Sequence, residues 1–144
     1  MPRKVFFSFE YSDVSRAMVV RNSCVTKDKA GFIDKAEFEK LERQGDDAIK
    51  RWINNQIYGT SVTVVLIGEK TCTSRWVRYE IEKSIERGNG ILGIDISQID
   101  DLQGKTTSSC NYRTILSNHY DFYLWFNDNG YENIEKWIEK AARD

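Results

Sequence analysis

Val62-Thr63-Val64-Val65-Leu66-Ile67-Gly68, then Ser74-Arg75-Trp76-Val77-Arg78-Tyr79-Glu80-Ile81-Glu82-Lys83-Ser84-Ile85, then Ile91-Leu92-Gly93-Ile94, read in turn as strand, helix and strand. The two apolar runs are unbroken rather than alternating, the pattern of parallel strands covered on both faces. Between them Val77, Ile81, Ser84 and Ile85 share a helical stripe, with Ser74 placed as N-cap and Gly88 as stop. Such a unit crosses over right-handed and calls for a parallel sheet.

The alternation continues on both sides. Val5-Phe6-Phe7-Ser8-Phe9 is another buried strand, and the aromatic-rich Phe122-Tyr123-Leu124-Trp125 reads as a later strand nearer an edge. Asp13 is placed to cap a helix with apolar positions Val14, Ala17, Met18, Cys24 and Val25, and Arg21 falls within that stripe, where a guanidinium either pairs with an acid of the neighbouring loop or lies along apolar surface with its head in water. Ile49, Trp52, Ile53 and Ile57 form a second stripe, opened by Asp46-Asp47 and closed by Gly59. Ile134, Trp137, Ile138 and Ala141 form the last. A weak strand is expected at Gly31-Phe32-Ile33. The charged stretch 26–44 and the Ser/Thr/Asn-rich stretch 97–118 read as loops. The whole predicts one α/β domain over residues 1–144, a doubly wound parallel sheet of about five strands with helices on both faces. Ligands of such sheets bind beyond the carboxyl ends of the strands, here the rim formed by Phe9 to Asp13, Gly68 to Ser74 and the loop after Ile94.

Composition narrows the function. A formal net charge of −1 gives no overall field for a phosphate backbone, so nucleic acid is a poor partner. No apolar run nears the roughly 18 residues that span a bilayer, and the start Met1-Pro2-Arg3-Lys4 has no cleavable leader pattern; the expectation is a cytoplasmic protein off the membrane. Cys24, Cys72 and Cys110 are odd in number and lack CxxC pairs, so they read as reduced thiols rather than a metal or redox site. Asp28, Gly31, Asp34 and Glu37 partly imitate a calcium loop, but Thr26 and Ala30 stand where acids are needed. Neither GxGxxG nor GxxxxGK[ST] occurs, and the single histidine, His119, sits in the polar loop, which gives little support to a His-dependent nucleophile. A phosphoacceptor domain would need clustered acids at strand ends, whereas Asp95 and Asp121 stand alone.

Glu80 is the residue that stands out. At ~100° per residue it lies on the border of the Val77-Ile81-Ser84-Ile85 stripe, with Trp76 one turn before it. A carboxylate there is partly desolvated and close to the rim. On spacing alone, a Glu paired with Arg87 or Lys83 on a solvated face is the more ordinary reading.

Val5 to Tyr11, Val19-Val20-Arg21-Asn22, Thr60 to Gly68 and Ser74 to Ile81 together resemble the Toll/interleukin-receptor (TIR)-like proteins of the Thoeris anti-phage systems, the ThsB group. The likeness runs in one register through Ile94, returns at Asn127-Asp128-Asn129-Gly130-Tyr131, and covers about two thirds of the chain. It implies a flavodoxin-like, TIR-type fold in which Glu80 is the catalytic carboxylate of an NAD glycohydrolase or ADP-ribosyl cyclase. NAD is then the substrate, with no separate cofactor and no metal. The product would be a cyclic ADP-ribose isomer, a diffusible signal to a separate effector protein, and the enzyme would assemble into a homo-oligomer on activation. Trp76, and an aromatic in the loop after the second strand identified as Phe38, would flank the substrate, with Phe9, Glu10 and Tyr11 lining the nucleotide site. Relatives often carry His or Arg where Glu10 stands, and an acid there repels a diphosphate. The competing expectation is a non-catalytic TIR-like module that binds a partner protein, with Glu80 structural.

The chemistry suits this inventory. Nicotinamide leaves NAD as a neutral base, so no general acid is needed and one carboxylate suffices beside a ribose that becomes oxocarbenium-like. Two unit charges about 4 Å apart at an effective dielectric of 20 interact by roughly 4 kcal/mol, and only the part that grows in the transition state accelerates the reaction.

Overall fold

Among the described residues four apolar runs become four strands: β1 (Val5–Ser8), β2 (Val62–Ile67), β3 (Gly90–Asp95) and β4 (Asp121–Leu124). They lie side by side in that order, and every pairing is parallel, with Val5 beside Val62, Val62 beside Gly90 and Leu92 beside Asp121. The chain is described here by a computed structural model over residues 3–24 and 35–144. The strand expected at Gly31-Phe32-Ile33 lies outside the described residues, as do Val25 and most of the calcium-like loop.

Among the described residues five helices cover the sheet: α1 (Val14–Asn22), α2 (Lys35–Gln44), α3 (Asp46–Ile57), α4 (Arg75–Glu86) and α5 (Gly130–Arg143). Alternate strand residues point to opposite faces. On one face Val5, Phe7, Val62, Val64, Leu66, Leu92 and Ile94 pack against Ala17 and Val20 of α1 and Ile134, Trp137 and Ile138 of α5. On the other, Phe6 meets Ile49, Ile53 and Ile57 of α3, while Val65, Ile67 and Ile91 meet Val77 and Ile81 of α4. Helices on both faces of a parallel sheet are the doubly wound architecture. Removing one such buried aliphatic side chain, Ile53→Ala for example, costs about 2–5 kcal/mol.

The second face also carries a polar seam. Ser8 and Thr63 point to the same side as Phe6, and one turn of α4 sets Glu80 opposite Ser8 and Ser84 opposite Thr63. The Ser84 hydroxyl donates to the Glu80 carbonyl at 2.8 Å and lies 2.6 Å from Thr63 Oγ1. Burying Ser84 turns α4 so that Ile85, expected in the stripe, is exposed.

Three further expectations are corrected. Residues 35–44 form a helix rather than a loop: only Phe38 and Leu41 face inward, too few for a visible stripe, while the Glu, Lys, Arg and Ala around them are good helix formers. Gly45, with φ +99°, makes the turn into α3. In α1 the buried positions are Arg16, Ala17 and Val20, with Met18 exposed; the buried arginine is therefore Arg16, and Arg21 is half-buried in the last turn. The Asp13 side chain accepts no capping bond from the first N–H groups of α1; its carboxylate instead accepts from Arg16 Nη1 at 3.0 Å. The other Arg16 nitrogens reach the carbonyls of Ile99 and Lys105, both at 2.8 Å, so this pair fastens the segment after β3 to α1. A Cβ at Gly68 would collide with the Asp13 carboxylate, which lies directly over it.

The reading of three reduced thiols is also corrected. Cys72 and Cys110 form a disulfide with Cα atoms 6.0 Å apart, and Cys24 alone is free. Spacing along the chain could not reveal this. The bridge joins the turn before α4 to the polar segment 97–118, elements that meet only in the folded molecule. No helix among the described residues is long and apolar enough to cross a membrane.

Candidate active site

Strand β1 ends at Ser8, and the chain then turns through Phe9, Glu10 and a 3-10 turn, Tyr11–Asp13. Helix α4 begins beside it because Ser74 caps the helix, accepting from Val77 N at 3.3 Å. Between these two starts and the helices α2 and α3 lies a cavity of about 190 Å³. Its lining includes Phe9, Glu10, Tyr11, Phe38, Trp76 and Glu80.

Glu80 is at the bottom. It is 8% exposed, and its Oε1 accepts a hydrogen bond from Ser8 Oγ at 2.7 Å. Burial pushes its pKa up from 4.5 to about 8, against the smaller opposing effect of the Ser8 bond. The carboxyl therefore holds its proton at neutral pH when nothing cationic is near, rather than being ionised throughout. The solvated alternative is not what forms: Lys83 pairs with Glu86 at 3.0 Å, and Arg87 lies over the Tyr58 ring.

Aromatic rings wall the space above. Tyr11 and Phe38 are stacked with centroids 5.1 Å apart and planes 5° from parallel. Trp76 stands edge-on to Tyr79, 6.0 Å between centroids, and the Tyr79 hydroxyl donates to Asn54 Oδ1 at 3.0 Å. The Glu10 carboxylate turns back on its own loop, accepting from the backbone N and the hydroxyl of Ser12. A flat, apolar-walled space with one buried carboxyl suits a flat ring joined to a sugar.

Residues 6–101 match the family described as "Thoeris protein ThsB, TIR-like domain", a stretch that contains every residue lining the cavity. The chain belongs to the ThsB family of TIR-like proteins. A relative from Bacillus cereus (strain MSX-D12), named "Putative cyclic ADP-D-ribose synthase ThsB1", is 42% identical over 144 residues, covering 95% of this chain and 72% of the relative.

In this ThsB chain the six residues singled out from the sequence line one cavity, with one change of setting: Phe38 is on α2, not in a loop. The rim after Ile94 does not contribute; Ser97 and Gln98 line a separate groove with Trp125 and Phe126. The sequence reading missed Ser8, Leu41 and Glu42 as site residues, placed Ser74 in the rim, and assigned Trp52 to the core stripe alone although it also lines the cavity. Ser8 had a signal, a hydroxyl inside an otherwise apolar strand, but its partner depends on how α4 crosses β1. His119 is exposed, its Nδ1 2.7 Å from Ser117 Oγ, well apart from this site. Among the described residues no cluster of three His, Cys, Asp or Glu could hold a metal ion.

Proposed function

We propose that this ThsB-family chain consumes NAD, breaking the bond between nicotinamide and ribose and closing the remaining ADP-ribose into a cyclic isomer, with Glu80 as its catalytic residue. The name of the Bacillus cereus relative states a synthase of that product class. The observation that carries the reading is the placing of Glu80: a buried carboxyl under Trp76, held by Ser8, at the floor of the aromatic cavity.

The geometry supplies what this chemistry needs. Nicotinamide bound in NAD is cationic, and an opposite charge within about 4–6 Å lowers a carboxyl pKa by roughly 1–3 units. Entry of NAD thus drives the proton off Glu80, and the carboxylate faces the sugar as it becomes positive. The C1′–N bond breaks with its electron pair leaving on nicotinamide, which departs neutral. A nucleophilic atom of the adenosine end then attacks C1′ to close the ring, or water attacks to give ADP-ribose; where the attacking atom is an oxygen, its proton passes to the Glu80 carboxylate. The ring walls exclude water and favour the first outcome. Ser8 keeps one carboxylate oxygen occupied and leaves the other for the ribose. Phe9, Tyr11, Phe38 and Trp76 hold the flat ring, and NAD serves as substrate with no further cofactor. The cyclic nucleotide then acts on an effector protein in the cytoplasm, and activation brings copies of the chain together.

The test incubates the protein with NAD, alone and in lysate of phage-infected cells, and reads products by mass. Nicotinamide and an ADP-ribose-derived ring are expected, and both vanish in Glu80→Gln, which keeps the shape and removes the charge. Undiminished nicotinamide release by that variant overturns the role of Glu80. Absence of NAD turnover in every state of assembly would leave a protein-binding module instead.

A further inference from the structure

The cavity accounts for only part of a dinucleotide. Sites for whole small molecules run from about 300 Å³ upward, so about 190 Å³ holds the nicotinamide end and leaves the rest outside. The acids Glu10 and Glu42 line the cavity and disfavour an anion on their side. Across Trp76, which borders both spaces, lies a second groove of about 320 Å³ between α3 and α4. Its lining is Asp46, Lys50, Arg75, Trp76, Arg78, Tyr79 and Glu82. Three cations therefore stand against two acids, beside the same indole that walls the nicotinamide end.

We propose that this groove is the diphosphate subsite, with Lys50, Arg75 and Arg78 as its anion-binding groups. The inference rests on the reading of NAD as substrate and adds where the charged middle of the molecule lies. Arg75 is at the junction. Its guanidinium is 4.6 Å from the Trp76 ring centre, and its two terminal nitrogens hold Asp46 at 2.7 and 3.0 Å. That fork geometry also fits a phosphate, and the pair is solvent-exposed, so exchange of Asp46 for phosphate oxygens carries little penalty. Arg78 is held by two bonds to the Cys72 carbonyl, at 3.2 and 2.9 Å, which leaves Nη1 for a ligand. Lys50 Nζ lies 5.8 Å from the Tyr79 ring centre and reaches the groove from the opposite wall. The first residues of α3 and α4, Asp46 and Arg75, meet here, so the positive ends of two helix dipoles point the same way.

The test uses the full chain and a probe that lacks the nicotinamide end: ADP, with adenosine as its uncharged counterpart, both titrated calorimetrically. The expected result is that ADP binds more tightly than adenosine, and that Lys50→Glu and Arg78→Gln each weaken ADP by about tenfold at low salt, an effect that shrinks as salt shortens the screening length to about 8 Å. Arg51→Glu, the same charge reversal on the exposed side of α3 outside the groove, leaves ADP binding unchanged. Equal affinity for ADP and adenosine, or equal effects of Lys50→Glu and Arg51→Glu, overturns the subsite. Glu80→Gln separates the two claims. It binds ADP as the unaltered chain does if the subsite is right, whether or not its loss of nicotinamide release bears out the role of Glu80.

Discussion

Glu80→Gln should make the protein more stable, by an amount that grows with pH. In the folded chain burial raises the Glu80 carboxyl from 4.5 to about 8. Between those values the folded state holds a proton that the unfolded chain has released, so stability falls as pH rises through that window and levels off above about 8. At 1.36 kcal/mol per pH unit the full loss is about 5 kcal/mol, with about 3 kcal/mol already gone at pH 7. Gln has no proton to lose, still accepts from Ser8 Oγ through its carbonyl, and fills the same volume. Urea unfolding of both proteins from pH 4.5 to 9 measures the difference. It should be near zero at the acid end and several kcal/mol in favour of Gln at pH 8, which in a domain of this size moves the melting temperature by roughly 10 °C or more. A difference that stays constant across the range would refute the idea that Glu80 is buried as a neutral acid. Adding NAD should restore part of the lost stability at pH 8 to the unaltered chain, because the bound cation stabilises the charged form.

Other outcomes are open to measurement. Ser8→Ala removes the one group shown holding the carboxylate down, so the acid limb of the pH profile for nicotinamide release should move to higher pH, and Ser8→Thr should reverse most of the change. Arg16→Met strands the buried Asp13 carboxylate, whose Oδ2 already has no hydrogen-bond partner among the described residues, and should cost about 3–5 kcal/mol at pH 7. Burial raises the Asp13 pKa even with Arg16 present, so the loss should shrink as pH falls and the variant's carboxyl takes up its proton; an equal loss at pH 7 and pH 4 would count against an electrostatic cause. Thiol titration in denaturant without reductant should find one reactive cysteine, Cys24, where three would refute the Cys72–Cys110 bridge. In the folded state that thiol should react slowly, since burial pushes its pKa to about 12.

The sequence disclosed elements whose pattern depends on their own residues. Helices α3 and α5 carry long apolar stripes with acids at the start or a full inward face, and the buried strands are unbroken apolar runs. It was silent where structure depends on a meeting of distant segments. Helix α2 has only Phe38 and Leu41 to signal it. The place of Glu80 at the edge of a stripe could be read from spacing, but its depth depends on Ser8 being set opposite it by the pairing of β1 with β2. The choice of Arg16 over Arg21 as the buried arginine depends on the carbonyls of Ile99 and Lys105, which local periodicity does not see.

The fastening of the segment after β3 has an evolutionary corollary. Its backbone is tacked down at Ile99 and Lys105 by Arg16, at Thr107 by the Ser97 carbonyl and at Cys110 by Gly68. Between the first two anchors only the turn at Asp101–Gly104 projects, closed by bonds from Gln103 N, Lys105 N and Gly104 N to Asp101. Extra residues grafted at that tip would leave every anchor in register and helix α4 undisturbed. Length variation in kindred proteins, and any engineered insertion, should therefore be accommodated there first.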